Sequence, residues 1–428
     1  MEHTLRERDR KVIWHPYTPM KTWPEALPIV KGEGVYLTDE AGNRYIDAIS
    51  SWWVNIHGHS HPYIARKMYE QFLQLEHCIF AGFTHEPAVR LAERLLEVLP
   101  KGMGKIFYSD NGSTAIEVAI KMSLQYWNNR GIKKKKLVAL ENAYHGDTFG
   151  AMAVSGRSVF TEAFTEFLFD VEFVPEVGKP ESVATLERIL QKGDVAAFIV
   201  EPLIQGSGGM LMYDATILEQ YFSLCRKYDT LIIADEVMTG FGRTGTLFAC
   251  DQITTTPDMV CLSKGLTGGT VPLGVTACTQ AIFDAFYEDD RKKMLYHGHS
   301  FTANPALCAA ALASLDLVLM DSCRENRERI AAKHTAFAET IWHDDMITDV
   351  RQTGTVIAME LKTDTPSYHS GMRDMMFRFF LERKIIMRPL GHIIYILPPY
   401  CISNEELDYI YQSIKELLAE LKKPVADN

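Results

Sequence analysis

Short apolar runs alternate with longer amphipathic stretches through the middle of this 428-residue chain. The apolar runs are KIFYSD, KLVALEN, AAFIVEP, LIIADEV, DMVCLSK and LGVTACT, and stretches such as STAIEVAIKMSLQYW and ATILEQYFSLCRKY separate most of them. Nearly continuous apolar strands that alternate with helices predict an α/β fold with a mostly parallel sheet, covered by helices on both faces. Such sheets bind ligands at the carboxyl ends of their strands, so we expect the functional site there. Nearer the C-terminus, GTVIAMEL and HIIYILPP predict a second, smaller sheet.

The length and the charge of the chain limit its domain count and its partners. A chain of 428 residues exceeds the usual size of a single core, so we expect two domains. The excess of 55 acidic over 44 basic residues argues against a nucleic acid or an anionic membrane surface as the main partner. We therefore expect small-molecule ligands.

The start of the chain and its cysteines favour a cytoplasmic protein. The opening MEHTLRERDRK is charged and lacks the apolar region of a signal peptide. The longest apolar segment, NPALCAAALASLDLVLM, is interrupted by Ser314 and Asp316 and is better interpreted as a buried helix than as a membrane span. The 8 cysteines include no CxxC pair, so we expect reduced thiols. The run KKKK at 133–136 is typical of a solvated loop.

Three short motifs carry other interpretations. GFGRTG fits the glycine pattern of a dinucleotide site, but no clear helix opens on it, so an NAD-dependent enzyme is the weaker alternative. The NGS at Asn111 is a glycosylation sequon that a chain without a signal peptide does not use. HEPAV at His85 lacks the second histidine of a zinc protease, and no other His/Cys cluster has metal spacing, so we expect no metal.

Polar, glycine-containing segments follow five of the predicted strands. They are YSDNGSTA, NAYHGDT, EPLIQGSGG, ADEVMTGFGRTG and SKGLTGG. In the first segment, Gly112 and Ser113 stand where a helix begins, and free N–H groups at a helix start favour an anion such as phosphate. An ordinary serine cap of the helix is the alternative.

Two charged residues close the strands LIIADEV and DMVCLSK. Asp235 and Lys264 both follow apolar runs, where burying an unpaired charge is costly. A salt bridge would satisfy both residues, but it leaves the anion site and the nearby aromatic Tyr144 unexplained. Pyridoxal phosphate uses all of these groups: an amine to bind covalently, a carboxylate for the pyridine nitrogen, an anion site and a flat side chain over the ring.

The set LIIADEV, TGFGRTG and SKGLTGG resembles the core of the class III aminotransferases, which are pyridoxal-phosphate enzymes of fold type I. The resemblance implies that Lys264 is the Schiff-base lysine and that Asp235 contacts the pyridine nitrogen. It also implies that Gly112 and Ser113 bind the phosphate and that Tyr144 stacks on the ring. Active sites of this family are shared in a homodimer, which implies that the HGHSFTANP segment brings Ser300 to the partner's phosphate and Gly298 to the substrate.

The two ends of the chain carry aromatic segments that bear on the substrate. IWHPYTPM and SSWWVNIHGHSHP contain Trp14, Tyr17, Trp52 and Trp53, for which core packing is the alternative. Together with YHGDT and MRPLGHIIYILPPY, these segments resemble the branch of the family that acts on 8-amino-7-oxononanoate in biotin biosynthesis. Many relatives that handle α-amino acids carry an arginine where this chain has Tyr395.

The keto acid of that branch has its carboxylate at the far end of an alkyl chain. The resemblance therefore implies Trp52, Trp53, Tyr144, Lys264 and Tyr395 as a substrate pocket, with Arg388 as the distant cation. A surface arginine paired with a carboxylate is the alternative for Arg388, and a plain loop arginine is the alternative for Arg243, which orders the site near the substrate in the family.

Other assignments from the resemblance concern the remaining residues and the domains. Tyr17 is implied as a catalytic residue, Asp147 holds either Tyr17 or a donor group, and the role of His299 is open. A large domain is expected over 55–325, with a small domain formed by 1–54 and 330–428.

The amino donor of this branch is S-adenosylmethionine or lysine, and S-adenosylmethionine is the default. Activity on another ω-amine or diamine stays open as an alternative. A relative that has lost catalysis is a further alternative. Retention of Lys264, Asp235, Tyr144 and Arg243 argues against that loss.

Overall fold

The computed structural model describes residues 3–23, 26–175, 177–364 and 371–423. The helices are α1 Leu5–Val12, α2 Ser50–Trp53, α3 Pro62–Gln74, α4 Glu86–Val98, α5 Gly112–Asn129, α6 Phe149–Ala153, α7 Pro180–Leu190, α8 Ala215–Lys227, α9 Gln280–Asp284, α10 Pro305–Val318, α11 Asp321–Ile341, α12 Gly371–Glu382 and α13 Asn404–Leu421. The strands are β1 Ile29–Glu33, β2 Tyr36–Asp39, β3 Arg44–Asp47, β4 Met103–Ser109, β5 Lys136–Leu140, β6 Val171–Val174, β7 Val195–Val200, β8 Ile204–Gln205, β9 Leu211–Met212, β10 Leu231–Asp235, β11 Met259–Leu262, β12 Gly274–Thr279, β13 Ile347–Thr353, β14 Val356–Leu361, β15 Ile385–Ile386 and β16 Ile393–Ile396.

The largest sheet has seven strands in the order β4-β12-β11-β10-β7-β5-β6. All neighbouring pairs are parallel except those of β12, which runs antiparallel to β11 and to β4. The mostly parallel sheet and its six predicted strands are confirmed. The edge strand β6 was missed, because VEFV is short and carries a glutamate in its middle.

Side chains of the central strands alternate between two apolar clusters. Ile233 and Ile199 pack with α5 on one face, whereas Ile232 and Phe198 pack with α7 and α8 on the other. Burial of such side chains stabilises the fold by roughly 1.5–3 kcal/mol each. The sheet is therefore fixed from both sides, and its strand ends are held in register.

Both chain ends contribute to smaller sheets. The sheet β1-β2-β3-β15 joins residues 29–47 to 385–386, and β13-β14-β16 is the antiparallel sheet predicted from GTVIAMEL and HIIYILPP. The four-stranded sheet was not predicted. The domain boundaries stay a prediction: residues 325–330 lie inside the continuous helix α11, and residues 1–2 and 424–428 lie outside the described residues.

The apolar segment before Met320 forms α10, which lies in the core. No single helix in the described part of the chain is long and apolar enough to cross a membrane. Only α10 together with α11, bent by 67°, meets that test of length and composition.

The lysine run is not solvated throughout. Lys134 is buried over the ring of Trp127 and donates to backbone carbonyls, and Lys136 begins β5. The prediction of a solvated loop is therefore wrong for Lys134.

Candidate active site

A cavity of about 730 Å³ lies at the carboxyl ends of the central strands. Among the residues that line it are five predicted from the sequence: Gly112, Ser113, Tyr144, Asp235 and Lys264. They follow four different strands, so only the folded sheet brings them together. Two further predicted residues, Asp147 and Trp53, line the same cavity, together with His145 and Glu201, which were not predicted.

Lys264 begins a short 3₁₀ helix just after β11, and its backbone φ is +46°. Its ammonium lies over the ring of Trp53, 5.0 Å from the centroid. Burial lowers the pKa of Lys264, while the carboxylates of Asp235 and Glu201 oppose that effect. The site therefore favours the neutral, nucleophilic amine more than water would.

Asp235 ends β10 as a buried carboxylate. Its Oδ1 accepts a hydrogen bond from the backbone N–H of Val237 at 3.1 Å, and its Oδ2 lies 2.6 Å from Nδ1 of His145. Nε2 of His145 is buried without a hydrogen-bond partner among the described residues. Sequence reasoning missed this histidine, although it follows β5 beside the predicted Tyr144.

The start of α5 lines one end of the cavity. Asn111, rather than a serine, caps the helix, because its side chain accepts from the N–H of Thr114 at 3.0 Å. Ser113 is thus free of capping, and its Oγ lies 2.7 Å from the hydroxyl of Thr148. A Cβ on Gly146 would lie 2.2 Å from this Oγ, so only a glycine allows the loop after β5 to approach the start of α5 this closely.

Glu201 follows β7 and is fully buried in the cavity wall. Its carboxyl accepts hydrogen bonds from the backbone N–H groups of Tyr144 and Gly206, both at 3.0 Å. Burial raises the pKa of Glu201 to about 7. Sequence reasoning missed Glu201, and the signal that could have found it is its place directly after an apolar strand.

A second cavity, of about 400 Å³, shares Lys264, Tyr144, Trp53 and Asp147 with the first. Its other walls include predicted residues from both chain ends: Tyr17, Trp52, Arg388 and Tyr395.

Asp147 joins two of the tyrosines in these walls. It accepts hydrogen bonds from the hydroxyl of Tyr17 at 2.5 Å and from that of Tyr144 at 2.9 Å. Burial, reinforced by Tyr17, raises the pKa of Tyr144, so this phenol stays protonated. Asp147 thus fixes both rings at the boundary between the two cavities.

The tryptophan pair occupies a left-handed turn. All four residues of α2, Ser50 to Trp53, have φ between +46° and +72°. This conformation costs L-residues roughly 1–2 kcal/mol each. The turn directs the two indoles to different places.

Trp53 is 4% exposed, covers Lys264 and donates from Nε1 to the hydroxyl of Tyr395 at 3.0 Å. Trp52 is 36% exposed and lies beside Tyr17 and under the guanidinium of Arg388, which is 4.7 Å from its ring. Arg388 also donates to the backbone oxygen of Tyr17 at 3.1 Å. Core packing therefore accounts for much of Trp53, whereas Trp52 faces the second cavity.

Comparisons with known proteins identify the family of this chain. The family model described as aminotransferase class-III matches residues 18–418. The chain belongs to the class III aminotransferases.

Relatives and solved structures extend over nearly all of this aminotransferase. The adenosylmethionine-8-amino-7-oxononanoate aminotransferase of Synechococcus elongatus is 45% identical, covering 96% of this chain and 99% of its own. The enzyme of that name from Aquifex aeolicus is 37% identical over 99% of this chain and 98% of its own.

The crystal structure of the Methanocaldococcus jannaschii enzyme of that name has a TM-score of 0.93 at 36% identity and covers 97% of this chain and 98% of its own. An omega transaminase of Pseudomonas jessenii, solved with PMP, has a TM-score of 0.91 at 28% identity, with 98% of each chain covered. Fold type I and the aminotransferase assignment are thereby confirmed. GFGRTG, the basis of the NAD alternative, forms turns rather than the start of a helix.

Other predicted residues of the aminotransferase lie outside both cavities. Arg243 is fully buried and donates to the carbonyls of Pro398 at 2.7 Å and Asn55 at 3.2 Å. Gly298 and Ser300 are exposed. Their roles at the substrate and at the partner's phosphate stay predictions.

Proposed function

We propose that this aminotransferase converts 8-amino-7-oxononanoate to 7,8-diaminononanoate in biotin biosynthesis, with pyridoxal 5'-phosphate as cofactor and S-adenosylmethionine as amino donor. The full-length relatives that carry this activity in their names support the proposal. The observation that carries it is the aromatic cavity that has Lys264 in one wall and Arg388 in another.

The residues of the first cavity fit the cofactor. The amine of Lys264, the carboxylate of Asp235 and the start of α5 line one cavity. The close approach of Gly146 to Ser113 keeps the cavity narrow at the end where the phosphate would bind. When bound, pyridoxal phosphate supplies an aldehyde for amines and a ring that withdraws electrons from the reacting carbon. Ser113 and Gly112 would hold its phosphate, Asp235 its ring nitrogen, and Tyr144 its ring face.

Lys264 carries the proton transfers of both half-reactions. Because burial lowers the pKa of Lys264, its free Nζ would act as a base that takes a proton from one carbon of the bound substrate and cofactor and returns it to another. Trp53 covers this amine and limits the access of water. Asp235, fixed by His145 and by the N–H of Val237, keeps its carboxylate aimed into the cavity.

The second cavity suits an acceptor with a distant carboxylate. Arg388, held by Tyr17 and Trp52, would bind that carboxylate, and the aromatic rings would pack on the alkyl chain. The hydroxyl of Tyr395 accepts a hydrogen bond from Trp53. By the resemblance, this residue replaces the arginine of relatives that handle α-amino acids.

Lysine as donor, or another ω-amine as substrate, remains an alternative; the likeness to an omega transaminase favours the second. The protein would act as a cytoplasmic homodimer, with Ser300 and Gly298 contributed to the partner's site.

Turnover by the purified holoenzyme tests the proposal. The keto acid is supplied with S-adenosylmethionine, lysine or a simple ω-amine, and the diamine product is quantified by mass spectrometry. We expect product with S-adenosylmethionine. Absence of product with every donor, in a protein that transfers amino groups between other substrates, would contradict the proposed acceptor.

A further inference from the structure

The left-handed turn α2 is held by one buried carboxylate outside both cavities. Asp47, the last residue of β3, is completely buried. Its Oδ1 accepts hydrogen bonds from the backbone N–H of Ser51 at 3.0 Å and of Ile49 at 3.3 Å. Its Oδ2 lies 2.8 Å from Oγ of Ser51 and 2.9 Å from Nε2 of His59. Asp47 thus binds Ser51 of the turn through two groups and Ile49, which precedes the turn, through a third.

The partner of this carboxylate is itself fixed. His59 forms backbone hydrogen bonds with Gly34 in both directions, at 2.7 and 3.2 Å, and its Nδ1 lies 3.3 Å from the side chain of Asn55. The oxygens of Asp47 therefore have little freedom to follow the turn if it relaxes.

The first residue of the turn is also tied to the segment that directly follows β16, the strand of Tyr395. Oγ of Ser50 donates to the carbonyl of Leu397 at 2.7 Å, and the N–H of Leu397 donates to Ala48 at 2.9 Å. Non-glycine residues at positive φ persist only where their surroundings enforce that conformation, and such residues cluster at ligand sites. Here the enforced residues are the ones that carry the two indoles.

We propose that Asp47 is a specificity-determining positioning residue, which holds α2 in its left-handed form and so keeps Trp52 in the wall that receives the keto acid. This inference rests on the proposed function for the identity of the acceptor. Trp53 has a second anchor in Tyr395, whereas the ring contacts of Trp52 are with side chains of the substrate side, Tyr17 and Arg388. Loss of the clamp therefore affects Trp52 more than Trp53, and substrate affinity more than turnover.

The chain offers a matched control. Asp39 is likewise buried, and its carboxylate accepts hydrogen bonds from the N–H groups of Ala41 and Asn43, at 3.0 and 2.8 Å, and from the hydroxyl of Tyr45. It holds a turn between β2 and β3 in the same sheet as Asp47, but among the described residues its side chain forms no hydrogen bond to a residue that lines either cavity. Asp47→Asn and Asp39→Asn thus remove the same charge from two similar clamps.

The test compares the two holoenzyme variants in kinetics and in hydrogen exchange. For Asp47→Asn we expect KM for 8-amino-7-oxononanoate to rise about tenfold, the scale of a lost hydrogen bond to a charged group, while kcat changes less than about threefold. Amides of residues 48–54 should exchange faster, and the visible absorbance of the bound cofactor should persist. Asp39→Asn should leave KM and this exchange unchanged.

Equal KM values and equal exchange over 48–54 in the two variants would overturn the inference. If the wild-type enzyme does not use the keto acid, the proposed function fails. Hydrogen exchange over residues 48–54 in Asp47→Asn and Asp39→Asn then decides whether Asp47 holds the turn. If Asp47→Asn does not fold, Ser51→Ala removes one contact of the clamp. Because Ser51 also lines the second cavity, hydrogen exchange over residues 48–54 is the readout for this variant: the exchange should become faster, and unchanged exchange would contradict the inference.

Discussion

The cofactor side and the substrate side of this active site are built in different ways. On the cofactor side, Asp235, Glu201 and Lys264 follow neighbouring strands of one buried sheet. On the substrate side, Tyr17 and Trp52 come from the N-terminal part of the chain and Arg388 from the C-terminal part, and they are held by hydrogen bonds and ring contacts. Substitutions on the substrate side can therefore change which substrate binds without disturbing the sheet that positions the residues of the cofactor side.

This difference predicts how substitutions act in the two regions. Changes at the strand ends should lower every reaction of the enzyme by a similar factor. Changes in the aromatic wall should affect one acceptor and spare another.

The largest effect is expected for Lys264→Ala. Without the amine, activity should fall by roughly four orders of magnitude or more, the scale of losing a covalent catalytic group, and the visible absorbance of the lysine-bound cofactor should vanish. Lys134→Ala is the control, because Lys134 is a buried lysine that lies outside both cavities. Absorption spectra and product assays give the cofactor absorbance and the activity of both variants. Undiminished turnover of Lys264→Ala would refute the assignment of Lys264 as the residue that binds the cofactor.

Asp235→Asn should lower both half-reactions about a hundredfold to a thousandfold, because a neutral amide no longer stabilises the protonated ring. Asp258→Asn is the control: Asp258 pairs with Arg226 and lies outside both cavities. Rapid-mixing absorbance measurements of each half-reaction provide the rates. Similar losses in the two variants would mean that Asp235 has only a structural role.

Arg388→Met should raise KM for the keto acid about 10- to 100-fold, since a carboxylate loses its charge-assisted hydrogen bonds. The matched comparison uses a ketone of the same length without the carboxylate, whose KM should hardly change. An equal rise for both acceptors would assign Arg388 to holding Tyr17 and Trp52 rather than to binding the substrate.

A smaller effect is expected from Glu201, whose pKa is raised by burial from 4.5 to about 7. Because the folded protein keeps this proton to higher pH than the unfolded chain, the stability it contributes is complete below pH 4.5 and is lost as pH rises through about 7. The melting temperature of cofactor-free wild type should therefore fall more steeply from pH 5 to pH 8 than that of Glu201→Gln. Glu236, which titrates in the same range, is present in both proteins and cancels from the comparison. Parallel curves would contradict the role of burial at Glu201.

Local patterns predict the strand-end region well. Apolar runs followed by Asp235 and Lys264 are visible in the sequence, and adjacent strands place such residues together without further information. His145 and Glu201 escaped notice because their importance depends on hydrogen bonds to residues 90 and 57 positions away, respectively.

The aromatic wall was predicted only through the resemblance to known enzymes. Nothing in SSWW indicates four residues at positive φ, since that conformation ordinarily favours glycine and here depends on Asp47 and Ser50. The burial of Arg243 between two backbone carbonyls was equally invisible, because Pro398 and Asn55 approach it only in the folded chain.

The most direct test of the separation between cofactor side and substrate side is a ratio of two rates in the acceptor half-reaction. The rate with 8-amino-7-oxononanoate is divided by the rate with a short ketone that has no carboxylate. The ratio is measured for the variants Trp52→Ala and Asp235→Asn. Asp235→Asn should slow both acceptors equally and leave the ratio at its wild-type value. Trp52→Ala should lower the ratio several-fold, because only the long keto acid loses an aromatic contact. The same ratio in both variants would contradict the separation of chemistry from substrate choice.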